Sequence, residues 1–178
     1  MYGLARDDCR SGDRVAVPDG ERYRITSPPS AQIVTRELAG ELRRVLDRFA
    51  EDAGFTASRP VAIEFRPGIF GHHQVDRAAD IYGIGGRGLD WWKARWDAEA
   101  RRSRNAQTRL DARLIREREE KRNLGWRLYK ALQRYGRWAQ PYGYPVQLFG
   151  PWTRSEGPWR CISDFLLRAH RDHIHVAK

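Results

Sequence analysis

The sequence of 178 residues carries a net charge of +10, with 40% hydrophobic and 31% charged residues. That length fits one domain with a real core, and seven tryptophans argue against disorder. Two cysteines, Cys9 and Cys161, form neither a disulfide framework nor a CxxC metal pair, and no apolar run reaches the length of a membrane span.

Four of the basic residues are lysine and the rest arginine. Such a surface favours polyanions: nucleic acid, an anionic membrane or an acidic wall polymer. A coding bias towards arginine explains the same composition equally well.

Residues 1–29 are polar and read as an N-terminal extension, with Ser27-Pro28-Pro29 stopping any regular element. They hold no apolar h-region, which excludes a signal peptide; a product made in the cytoplasm would need release or export to act outside it. Ser30 can then cap a helix over 31–53, in which Val34, Leu38, Leu42, Val45 and Phe49 recur at helical steps and Gly54 supplies the stop. Residues 60–65 alternate as a strand. The segment from His72 starts as a loop, and a second strand is expected from Ala78 to Ile84, before Gly83, Gly85, Gly86 and Gly88 break the chain. These glycines do not match a dinucleotide fingerprint.

From Leu89 to Arg122 there is neither proline nor glycine, which predicts one long charged helix as an insertion over about 89–123. Its acids and bases interleave, the pattern of a solvated arm, either one helix or a hairpin inserted into the fold, rather than of a dedicated nucleic-acid helix. Arg101, Arg102, Arg104 and Arg109 are its candidates for a basic patch. An amphipathic helix is expected over 126–138, a strand over 144–149, a short helix over 161–170 and a last strand over 173–177. His170 is expected to cap its helix as a cation. The sum is a single α+β domain: a small antiparallel sheet with helices on one side, plus a long charged helical insertion.

The polar residues gather in two places. Asp172-His173-Ile174-His175 closes the chain, and Gly71-His72-His73-Gln74-Val75-Asp76-Arg77-Ala78-Ala79-Asp80 lies mid-chain. Residues two apart on a strand share a face, so His173 and His175 can aim into one site. Two imidazoles and a carboxylate, from His73, Asp80 and His175, suit a catalytic zinc with one position left open. His72 is the lesser alternative to His73. Asp172 is the expected general base and His173 the donor to a developing oxyanion, although the two roles can be exchanged. An HNH nuclease would need a hairpin and helix after the last histidine, and only three residues follow it.

The run from His73 to Ile81 resembles the H-x-x-G-R-A-A-D-I signature of the M15 peptidases, the group of D-Ala-D-Ala carboxypeptidases with its lysostaphin-type and hedgehog-like relatives. The closing Asp-His-Ile-His is similar to that group's final motif. The resemblance implies zinc held by His73, Asp80 and His175, water activation by Asp172, and an arginine ahead of the first motif that binds substrate, for which Arg66 is the nearest candidate. Asp76 stands where the family has glycine, and Gly71 where it commonly has serine.

The expectation is therefore a zinc-dependent peptidase cutting an amide bond in peptidoglycan stem peptides, of carboxypeptidase or endopeptidase type. The alternative is an inactive zinc-binding module that holds a polyanion, cell wall or nucleic acid, through its arginine-rich surface.

Overall fold

The computed structural model describes residues 14–67, 77–138, 147–153 and 164–178. Helices and a mixed sheet make an α+β fold. Its first elements are β1 (Arg14–Ala16), β2 (Tyr23–Ile25), a 3-10 turn at Pro29–Ala31, and β3 (Ile33–Thr35), which pairs antiparallel with β1. Residues 14–29, read from sequence as part of an extension, thus belong to the fold, and Tyr23 is fully buried.

Helix α1 (Arg36–Asp52) begins five residues later than Ser30 capping would place it. The β-branched run Ile33-Val34-Thr35 is taken by a strand. Thr35 is the cap instead, its side chain accepting from the Leu38 amide at 3.3 Å. The helix ends as expected, with Gly54 at φ +81° just beyond it.

The main sheet runs in the order β2-β4-β5-β8-β7, where β4 is Val61–Arg66, β5 Ala78–Ile84, β7 Leu148–Phe149 and β8 Ile174–Ala177. A short β6 (Arg87–Gly88) folds back on β5 through Gly85 and Gly86, both at positive φ, the backbone a two-residue hairpin turn requires. The sheet is not purely antiparallel. β2 lies parallel to β4, because the chain crosses over through β3 and α1 between them.

Residues 89–122 form a hairpin of two helices rather than one: α2 (Leu89–Arg104) and α3 (Arg109–Arg122). The break follows from Thr108, whose hydroxyl oxygen accepts from the Asp111 amide at 3.0 Å and whose hydroxyl donates to the Asp111 carboxylate at 2.8 Å. At the base, Arg95 Nε donates to both oxygens of buried Glu119 at 3.0 Å. Asn123, fully buried, donates to Glu119 at 2.7 Å and to the Trp92 carbonyl at 2.8 Å. Its Oδ1 accepts from the Trp126 amide at 2.9 Å and so caps α4 (Leu124–Tyr135).

The core joins Leu38, Leu42 and Phe49 of α1 to Leu128 and Leu132 of α4, and to Ile63, Phe65, Ile81, Ile174 and Val176 of the sheet. Helix α5 (Asp164–Ala169) precedes β8. Among the described residues no helix is long and apolar enough to cross a membrane.

Candidate functional site

The pleat of the sheet sorts its residues. In β5, Ala79 and Ile81 join the core; in β8, Ile174 and Val176 do the same. Their neighbours Asp80 and His175 therefore point to the opposite face. The register then lines up Arg66 against Asp80, Asp80 against His175 and His175 against Phe149, one row across four strands.

Asp80 and His175 are both buried, and the His175 Nδ1–H donates to Asp80 Oδ1 at 2.9 Å. A second imidazole approaches the same oxygen: His173 Nε2 lies 3.8 Å from Asp80 Oδ1. The His173 Nδ1–H donates to Asp172 Oδ1 at 2.9 Å. A carboxylate only accepts, so this bond puts a proton on Nδ1 and, in the neutral ring, leaves the lone pair on Nε2. Tyr82 stacks on His173 with ring centres 4.7 Å apart, and the Arg66 guanidinium lies 4.6 Å from the centre of the Tyr82 ring. Burial pushes the Tyr82 phenol pKa up, helped by the carboxylates of Asp80 and Asp172, so the phenol stays protonated near neutrality.

His170 also belongs here. Its ring centre is 4.9 Å from that of His173, 5.2 Å from that of His175 and 5.3 Å from that of Phe149. The Nδ1–H donates to the Leu166 carbonyl at 2.8 Å, so it does cap α5. It does so as a neutral ring, not as the expected cation: burial, with His175 and His173 beside it, lowers its pKa to about 4. The spacing His170-x-x-His173-x-His175 was the available signal. It matches neither a helix face nor a strand face, because α5 ends at Ala169, just before the first histidine, and β8 begins at Ile174, just after the second.

The predicted residues fall into three groups. Asp80, His173 and His175 come together. Asp172 stands one step out, half exposed and attached to the site through His173. Arg66 occupies the row beside Asp80, but its side chain turns to Glu64 at 3.0 Å and to Tyr82, and it is well exposed. His72, His73 and Asp76 lie outside the described residues, as does Cys161.

The donors fit a zinc ion in part. Asp80 Oδ1 and His175 Nδ1 stand 2.9 Å apart with the Nδ1 proton between them; while Nδ1 carries that proton, His175 would offer an ion its Nε2. The charge and ligand type are right, and both groups are shielded from solvent. Among the described residues, no group of three His, Cys, Asp or Glu is arranged to hold a metal ion. A third donor would have to come from elsewhere, which is the part expected of His73. Comparisons with protein-family models, with curated proteins and with solved structures find no match for this chain.

Proposed function

We propose that the chain is a zinc-dependent peptidase that hydrolyses an amide bond in peptidoglycan stem peptides. One observation carries the reading: two motifs about a hundred residues apart in sequence meet as the cross-strand pair Asp80 and His175, with His173 on the same carboxylate oxygen. His73, Asp80 and His175 are the residues that would hold the ion, which when bound supplies Lewis-acid polarisation and a water acidic enough to ionise near neutrality.

His173 is the proton acceptor in this proposal, with Asp172 as the residue that positions it. The Nδ1–H bond to Asp172 fixes the tautomer that has its lone pair on Nε2, and a ring in that state takes a proton before it can give one. The Nε2 atom accepts the proton of the attacking water and returns it to the leaving amine. This exchanges the roles expected from sequence, where Asp172 was the base. Tyr82 holds the plane of the His173 ring by stacking, and Arg66, exposed at the rim, would exchange its bond to Glu64 for one to a substrate carboxylate.

The test is metal content together with digestion of purified muropeptides. One zinc per chain and release of a new amine are the expected results. Zinc without hydrolysis would leave the inactive binding module, and no zinc at micromolar metal would overturn the reading.

A further inference from the structure

Folding residues 89–122 into a hairpin creates a groove that a single helix would not have. It lies between α2 and α3, has a volume of about 1410 Å³, and is lined by Arg101, Arg102, Arg118, Lys121 and Arg122 with Leu114 on its wall. Two carboxylates also line it, and both are engaged: Arg102 pairs with Glu99 at 2.9 Å and Arg113 with Glu117 at 2.6 Å. Arg101, Arg118, Lys121 and Arg122 are exposed and make no ion pair within 4.0 Å among the described residues, with Glu117, already held by Arg113, the carboxylate that Lys121 feels. The helices that present them are fixed to each other at both ends, by Arg95 with Glu119 at the base and by the Ser103 hydroxyl on the Ala112 carbonyl, 2.9 Å, near the turn. The basic patch foreseen on the long charged helix thus loses Arg104 and Arg109 and gains Arg118, Lys121 and Arg122 from α3.

We propose that this groove docks a linear, base-free phosphodiester polymer. Four cations in one groove with no close ion pair call for repeated negative charge, and guanidinium groups match phosphate oxygens in pairs. The groove is an open furrow along the seam of α2 and α3, and the cations on its two walls face one line of charge, which suits a single strand. Single-stranded nucleic acid is held by aromatic side chains on which its bases stack, and none of the residues lining this groove is aromatic. A membrane surface would need a continuous apolar face, and α3 exposes only Leu110 and Leu114 as large hydrophobic residues. A polyol-phosphate chain satisfies all three constraints. The inference stands apart from the peptidase reading, since it needs neither zinc nor turnover.

The experiment titrates the full chain with a poly(glycerol phosphate) oligomer and with an oligo-dT of the same number of phosphates. Expected is binding of the first at least as tight as the second. Three to four contacts imply a loss of about twenty- to fifty-fold between 50 and 200 mM salt, from a slope of about −0.7 per contact. Changing Arg101, Arg118, Lys121 and Arg122 together to Gln should abolish most of this binding and flatten the slope. The same neutralisation of Arg36, Arg43, Arg59 and Arg134, outside the groove, should change it little. Glu99→Gln with Glu117→Gln should tighten binding a few-fold, a direction that misfolding cannot mimic. Tighter binding of oligo-dT would overturn the choice of polymer in favour of nucleic acid. Equal losses in the two quadruple variants would overturn the groove and leave net charge as the cause.

Discussion

If Asp172 acts only through His173, the two should not behave as independent residues. The perturbation is a cycle of Asp172→Asn, His173→Gln and the double variant. Loss of a positioned proton acceptor costs about 10²–10⁴-fold in rate, so His173→Gln should lower kcat/KM by about a thousandfold. Asp172 contributes one charge-assisted hydrogen bond, of a kind worth about 1.5–3 kcal/mol when shielded. Its side chain is 51% exposed, so solvent screening brings the figure to the lower end. About 1.4 kcal/mol is a tenfold loss. The double variant should then be no worse than His173→Gln alone, because a group that works through a partner has nothing to contribute once the partner is gone. Release of amine from a soluble stem-peptide fragment reads the rates, with zinc content and urea unfolding as controls. A double variant showing the full product, about ten thousandfold, would falsify the coupling. A loss in Asp172→Asn larger than in His173→Gln would restore Asp172 as the base.

The metal set gives a second prediction. His73→Ala, Asp80→Asn and His175→Ala should each lose zinc by elemental analysis, and excess zinc should raise the Tm of the wild type alone; a His73 variant with full zinc would remove that residue from the set. A third concerns the hairpin base, where Glu119→Ala removes the buried half of a partly exposed ion pair and leaves Asn123 without one acceptor. The cost should be about 2–4 kcal/mol by urea unfolding, and a change below about 0.5 kcal/mol would show that the hairpin stands alone. A fourth follows from His170 in metal-free protein. Its folded pKa of about 4 lies below its ordinary value of 6.5, so between these pH values the unfolded chain binds a proton that the folded chain refuses. Its contribution is fully present above about pH 6.5 and falls away towards pH 4, by up to about 3 kcal/mol. His170→Gln should be the flatter of the two stability profiles over that window, and parallel profiles would refute the assignment.

The sequence alone determined the elements whose pattern is local. The strand Ala78–Ile84 and the stop at Gly54 follow from alternation and from backbone freedom. Helix α4 is legible apart from its ends, because its apolar stripe repeats every three to four residues. The pairing of Asp80 with His175 was within reach too, since each sits between residues that the core must take, and the pleat leaves them one common face.

The tertiary structure decided what depends on partners distant in the chain. Ile33-Val34-Thr35 leaves the helical stripe because β1 offers it a strand, and β2 enters the sheet in parallel only because a crossover brings the chain back. The hairpin at 105–108 rests on a cap, Thr108 with Asp111, too short to stand out in a run free of proline and glycine. The orientation of Asp172 and His173 was open in sequence, because residues at a strand's entry can turn either way. One hydrogen bond and the stacking of Tyr82 settle it. His170 reads as a surface cap until folding buries it beside two other imidazoles, where desolvation favours the neutral ring.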